Sequence, residues 1–492
     1  MKRLKILNVL LVFGLLIAGS SCADFLDVNT DPNNPSSVPE NLQLSALESN
    51  FSYNMIGNTA ARIPSHWVQQ LSYNGVPPSD DNYDVDESDV NNLWEFWAYT
   101  AVMNNARKLY TQADVDSNFA YSGIARILEA WTLNVVTDLW NEAPYTEAFN
   151  PSNTTPAYDN QEAIYNNIFA LLEQAIEDLQ KDSPLTPSQD DLLYNGDLTK
   201  WLRLAHVLTA RVNIHLTEAP NNDATTRAQN ALDALQNGFV SNDDDADFAY
   251  YDKTGEENPW YQWVIDGKWD TRDQLSANYV NLLKSLDDPR LPIQARPVGA
   301  VDNNGLVSGA DLSNPEYEGH PNGEQGQGAV NISSIGSFYS APDAPLNWMS
   351  YAEAKFIQAE ATLITQGANA ADPIYRDAIR ASMGKLGVSP ADAEDYINNR
   401  PALTAATALE EIMTQKYIAN FLSLDVYNDW RRTGYPQLTP VTNEVKTPSG
   451  IIPVRFPYPS SELNNNSANV KGTGVPVGYG SMEIPVWWDT TP

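Results

Sequence analysis

The sequence predicts a mainly α-helical protein in which a loop-rich insert separates two helical parts. Three observations predict it. Apolar residues recur at steps of three and four from about 41 to 240; glycine, proline, asparagine and aspartate crowd 241–345; helical periodicity with capping signals returns from 346. With 42% hydrophobic and 10% aromatic side chains in 492 residues, the chain can bury a full core.

Residues 1–21 have the form of a secretory signal peptide. Lys2, Arg3 and Lys5 make a basic start, and Ile6 to Ala18 is almost uninterruptedly apolar. That run is about a dozen residues, whereas about 20 are needed to cross a bilayer as a helix. Gly19, Ser20 and Ser21 lead into Cys22 in a pattern that resembles a bacterial lipobox, with Gly19 where an aliphatic residue is usual. Cys22 is the only cysteine, so it has no disulfide partner and is the expected site of lipidation. A diacyl or triacyl anchor, at about 0.8 kcal/mol per buried CH2, would moor the chain to a membrane. Residues 22–40, polar and turn-rich, are then the tether.

Within 41–240, Ile124, Ile127, Leu128, Trp131, Val135 and Leu139 share one helical face, as do Ile164, Ile168, Leu171, Ala175 and Leu179. Asp159 with Glu162 has capping-box spacing for the second of these helices. In the insert, residues 302–328 are loop by composition, and "GEQGQG" at 323–328 is expected to be a flexible loop. In the C-terminal part, 346–492, Ser350 with Glu353 makes another capping box, and Asp372–Pro373 and Ser389–Pro390 each pair an N-cap with proline at the first helical position. Leu409, Ile412, Met413, Tyr417 and Phe421 form a further apolar stripe, and the tail from Pro436 is loop-like.

The formal charge of −34 repels nucleic acid and anionic lipid headgroups and disfavours a polyanionic substrate. None of the four histidines, His66, His206, His215 and His320, lies in an H-E-x-x-H or G-x-S-x-G setting, and His206 and His215 are expected in the core or at its boundary. No cofactor is implied. Calcium is the one ion whose hard-oxygen ligands are clustered, at "DVDESD" (84–89) and "NDDDAD" (242–247), although neither has the glycine that turns an EF-hand loop.

Aromatic residues outside the helical patterns carry the stronger signal. Sugar rings present flat C–H faces that stack on Trp and Tyr, while their hydroxyls bond amides, carboxylates and guanidinium groups. "NPWYQWVIDGKWD" (258–270) places Trp260, Tyr261, Trp263 and Trp269 in a non-helical stretch, and "HWVQQLSYNG" (66–75) adds Trp67 and Tyr73 beside Gln69 and Gln70. With Tyr83 these are the candidate ligand-binding residues. Trp131, Trp140, Trp201 and Trp430 lie in helical patterns and are expected in the core.

Several stretches, in order, resemble the SusD/RagB family of outer-membrane lipoproteins. They are "DFLDVNTDPNNP" after the lipobox, "GIARILEAWTLNVVTDLWNEAPYTEAF" (123–149), "PAYDNQEAIYNNIFALLEQAIEDL" (156–179) and "YNGDLTKWLRLAHVLTARV" (194–212). "DDPRLP" (287–292), "APLNWMSYAEAKFIQAEA" (344–361) and "LEEIMTQKYIANFLSLDVYNDWRRTGYP" (409–436) complete the set. The resemblance implies one domain, a tetratricopeptide-like helix-pair scaffold whose loop-rich insert forms the ligand face. It also implies surface-exposed glycan capture without hydrolysis, delivery to a SusC-like TonB-dependent transporter, and attachment to the outer membrane. The loop before "LWEFWAYTAVMNNARKL" and the 248–345 span are expected to contribute the site. Asp138, Trp140, Tyr145, Arg290 and Arg431 are expected to be structural. Two alternatives compete: capture of a peptide by the same scaffold, and a glycoside hydrolase with two carboxylates about 5–10 Å apart.

Overall fold

The computed structural model describes residues 38–266, 271–302, 305–307 and 310–490. Helices α1 (Glu40–Asn50) and α2 (Thr59–Trp67) flank a π-helical turn, Phe51–Ile56. A second π-helical segment, Asn92–Met103, runs into α3 (Asn104–Asp116), followed by α4 (Phe119–Trp140), α5 (Gln161–Asp178), α6 (Leu198–His215) and α7 (Ala224–Leu235). After the insert come α10 (Tyr351–Gln366), α11 (Ala368–Lys385), α12 (Pro390–Asn398), α13 (Ala408–Ala419) and α14 (Asp425–Thr433). Between them the insert holds the short helices α8 (Pro259–Val264) and α9 (Ala277–Ser285).

Neighbours in sequence pack as neighbours in space: α3 on α4, α4 on α5, α6 on α7, and α10 on α11, with α7 on α10 joining the two helical parts across the insert. This is a mainly α, tetratricopeptide-like stack of helix pairs, as expected. No helix among the described residues is long and apolar enough to cross a membrane.

α4 departs from the one-faced pattern. The stripe Ile124 to Leu139 is buried, but so are Glu129, Asn134, Thr137 and Asp138 on other faces, because neighbours surround the helix on all sides. Its buried polar groups therefore need internal partners. Asp138 accepts from Tyr165 Oη (2.6 Å), Asn134 Nδ2 (2.9 Å), Trp488 Nε1 (2.9 Å) and Asn428 Nδ2 (3.1 Å).

Capping explains most boundaries and corrects two. Ser389 accepts from the Asp392 amide ahead of Pro390, and Ser350 accepts from the Glu353 amide, although the Glu353 carboxylate turns to Arg211 instead of back to its cap. Asn160, not Asp159, caps α5; Asp159 instead receives the amides of Tyr145 and Thr146. α11 begins at Ala368, so Pro373 lies inside it, and Asp372 binds Arg376 and the Leu403 amide.

Among the described residues strands are short: β1 (Leu71–Tyr73), β2 (Asp247–Phe248), β3 (Asp273–Leu275), β4 (Val301–Asp302), β5 (Gly305–Leu306) and β6 (Leu346–Asn347), paired antiparallel as β1–β3, β2–β6 and β4–β5. The segment expected to be a flexible loop is pinned to the first ladder. His320 N donates to Leu275 O (2.8 Å), Gly323 N to Asp81 Oδ2 (3.0 Å) and Gly326 N to Gly75 O (2.9 Å). Glycine is required at 326, since a Cβ there would stand 2.6 Å from Asn74 O.

Candidate functional site

The β1–β3 ladder pairs β1, inside the first aromatic stretch, with β3, which follows the second stretch some 200 residues along the chain. Its register pairs Leu71 with Leu275, Ser72 with Gln274 and Tyr73 with Asp273. Directly opposed residues of an antiparallel pair project to the same face, so Tyr73 and Asp273 share one face of the ladder. The Arg272 guanidinium, one residue before, lies 5.0 Å from the Tyr73 ring centroid.

Arg62 of α2 extends this surface to α8. It contacts Asp80 (2.5 Å) and Asp273 (3.4 Å), and its guanidinium lies 5.0 Å from the Trp263 ring centroid. His66, one turn along α2, places Nε2 3.1 Å from Asp273 Oδ1. Burial alone would lower the His66 pKa, but the Asp273 carboxylate outweighs it and holds the ring above its usual value. Arg62 thus links Asp273, the register partner of Tyr73, to the Trp263 ring.

Behind them, Asp81 is fully buried and accepts from Ser72 Oγ (2.8 Å), Tyr73 N (3.0 Å) and Gly323 N. The pinned loop closes this floor, with Asn322 Nδ2 donating to Leu71 O (2.8 Å). The arrangement sets aromatic rings and guanidinium groups on a fixed base, groups that stack and hydrogen-bond.

The expected ligand residues divide by burial. Tyr73, Tyr261 and Trp263 are half-buried. Trp67, Tyr83 and Trp260 are core side chains and cannot present a stacking face. Trp67 is fully buried, donates Nε1 to Asp80 O (3.1 Å) and meets Tyr427 and Phe456 edge-on. Tyr83 is 1% exposed, and its hydroxyl accepts from Val441 N (3.2 Å). Trp260 is 2% exposed, because 259–264 is a helix rather than the expected non-helical stretch: Asn258 caps it and Pro259 opens it. Trp269 and Cys22 lie outside the described residues. Arg62 and Arg272 escaped the sequence reading; an arginine beside each aromatic stretch, in a chain with 29 basic against 63 acidic residues, was the available signal.

The acidic clusters are occupied by cations of the chain. Asp244 pairs with Arg203 (2.7 Å), Asp245 (2.6 Å) and Asp247 (2.9 Å) with Lys385, and Asp86 with Lys446 (2.7 Å). Among the described residues, no three His, Cys, Asp or Glu side chains are grouped to hold a metal ion. Asp138, Trp140, Tyr145, Arg290 and Arg431 are all buried, as expected of structural residues.

Comparison with known proteins gives a consistent picture. One similar solved structure is a chitin-binding protein, 27% identical, with 92% of this chain and 100% of that chain covered and a TM-score of 0.77. Another is a SusD/RagB family protein from Bacteroides thetaiotaomicron, 25% identical, covering 93% and 100%, with a TM-score of 0.75. A chitin-binding SusD homolog from Flavobacterium johnsoniae shares the fold at 23% identity, covering 92% and 98%, with a TM-score of 0.74. No curated protein matches the chain. The family model described as "Starch-binding associating with outer membrane" matches residues 32–459, and the chain therefore belongs to the SusD-like family.

Proposed function

We propose that the protein is a surface-exposed outer-membrane lipoprotein that captures an oligo- or polysaccharide and delivers it to a SusC-like TonB-dependent transporter. Lipidation at Cys22 would hold it at the membrane, and Tyr73, Tyr261 and Trp263 would stack on sugar rings, with Trp269 on the segment between Trp263 and β3. The observation that supports this reading is Arg62, which contacts Asp273, the register partner of Tyr73, and lies 5.0 Å from the Trp263 ring centroid, so that residues near both aromatic stretches share one cation. Binding without hydrolysis is supported by the state of the two carboxylates there. Asp80 and Asp273 both engage Arg62, so both carboxylates are committed to a cation of the chain.

Affinity electrophoresis of the wild type, Tyr73→Ala and Trp263→Ala through gels containing soluble starch or glycol chitin tests it. Retardation by one of these polymers, weakened about fivefold by loss of either ring, is the expected result. Equal mobility of the wild type in all gels, or release of new reducing ends from either polymer, would refute glycan capture without chemistry.

A further inference from the structure

Gln262 of α8, the residue before Trp263, accepts a hydrogen bond from Tyr53 Oη (2.9 Å), and Tyr53 in turn lines a second hollow. This hollow of about 420 Å³ is bounded by the end of α1, the π-helical turn after it and the loop that follows β2. We infer that it is a second, separate saccharide-binding site, with Asn50, Asn54 and Tyr53 on one wall and Tyr250 and Tyr251 on the other. The inference rests on the glycan-binding reading and adds a site to it.

Its back wall is built before any ligand arrives. Phe248 of β2 stacks on Trp348 at 5.5 Å with 12° between planes, and Tyr250 meets Phe248 edge-on at 5.4 Å. Tyr250 Oη and Trp348 Nε1 both bond Ser52 Oγ at 3.0 Å, which fixes both rings to the π-helical turn. The lip is Tyr251, 61% exposed, on a loop closed by its own backbone bonds from Tyr251 N to Glu256 O (2.9 Å) and from Glu256 N to Lys253 O (2.8 Å). An exposed ring on a closed loop beside a walled hollow is a stacking platform, not a core side chain left uncovered.

The ligand class follows from the groups presented. Lys253 pairs with Glu256, the one carboxylate among the described lining residues, and among these there is no arginine, lysine or histidine. The polar groups that remain are amides and hydroxyls. Asn54 is 9% exposed, and its Nδ2 reaches Asn50 Oδ1 at 3.4 Å, a long contact that a ligand hydroxyl can replace at little cost. Amides, phenols and flat rings without net charge match a neutral sugar and do not match a phosphate, a carboxylate or a cation.

Isothermal titration of the full-length mature chain with maltohexaose and with the hexasaccharide of N-acetylglucosamine tests the inference. The wild type should bind one of the two at two sites per chain. Tyr251→Ala should lose one site and keep the affinity of the other, and Asn50→Ala, as a second variant on the same wall, should weaken that same site. Trp263→Ala should show the converse, keeping the Tyr251 site. One site per chain in the wild type, with Tyr251→Ala and Asn50→Ala superimposable on it and Trp263→Ala weakened, would overturn the second site and leave the first standing. Absence of binding by both sugars would overturn both readings.

Discussion

His215 Nε2 lies 2.9 Å from Asp425 Oδ1, while the other ring nitrogen, Nδ1, lies 3.3 Å from Asp138 Oδ2, so two buried carboxylates clasp one imidazole. The three residues belong to α6, α14 and α4, and the clasp ties the N-terminal helical part to the C-terminal one. Arg431 of α14 adds to the junction, donating to Asp138 O (2.7 Å) and Val454 O (2.8 Å). Burial alone would push the His215 pKa down, but Asp425 and Asp138 outweigh it and raise it to about 9.

That shift makes stability fall as the solution turns alkaline. A histidine whose folded pKa exceeds its unfolded value of about 6.5 contributes fully below that value, and the contribution is lost as pH rises through the folded pKa. Between pH 6.5 and 9 the loss should approach about 3 kcal/mol at this buried site. Glu353 acts in the same direction over a lower window: burial raises its pKa from 4.5 to about 7 despite the Arg211 pull, so its contribution falls between those values and is level above them. Urea denaturation across this range should show the midpoint falling with pH, and His215→Gln should be less stable at pH 6 and flatter between 6.5 and 9. A midpoint independent of pH in the wild type would contradict the clasp.

Trp260 and Trp263, three residues apart on α8, should respond oppositely to truncation. Trp260 is 2% exposed, so Trp260→Ala opens a cavity and should cost about 3–5 kcal/mol of stability. Trp263 is half-buried under Arg62, so Trp263→Ala should lower the melting temperature less while weakening polysaccharide retardation about fivefold. Thermal unfolding and affinity electrophoresis of the two variants, side by side, check the division.

The helices were legible in the sequence because each depends on periodicity and caps within a short window, as Ser389–Pro390 and the Ile124–Leu139 stripe show. The site was legible only in composition. Three-residue strands such as β1 and β3 carry too little pattern to announce their pairing, and the partners lie about 200 residues apart, so nothing local indicates that Tyr73 meets Asp273. Burial of an individual ring was hidden for the same reason. Trp67 and Trp260 differ from Trp263 only in what distant segments, Tyr427 and Phe456 among them, pack upon them.

Cys22 should decide where the protein resides. Two or three acyl chains hold a soluble domain durably on a bilayer, whereas an unmodified chain with a charge of −34 has no electrostatic reason to stay on anionic lipid. The wild type should therefore sediment with outer membranes and be accessible to protease added to whole cells, and Cys22→Ala should appear in the soluble fraction. Equal membrane recovery of the two would show that lipidation at Cys22 is not the anchor.

Arg290 should be the most costly single cation to remove from the insert. It is fully buried and grips Asp288 with two parallel bonds, Nε to Oδ1 at 2.9 Å and Nη2 to Oδ2 at 2.6 Å. Nη1 also donates to Ser382 Oγ (3.2 Å) on α11 and Nη2 to Gln415 Oε1 (2.6 Å) on α13, so one side chain fastens the insert to the C-terminal helices. Burial would raise the Asp288 pKa, but Arg290 outweighs it and holds the carboxyl below its usual value. Arg290→Met leaves Asp288 as a buried charge without its partner and should cost about 3–5 kcal/mol at neutral pH. The cost should shrink as the pH falls and Asp288 protonates, because the neutral acid no longer needs a counterion. Adding Asp288→Asn to Arg290→Met should recover part of the loss for the same reason. Chemical denaturation at pH 5 and pH 7.5 measures both effects, and an Arg290→Met penalty that is equal at the two pH values and unrelieved by Asp288→Asn would mean that packing, not the charge pair, sets the cost.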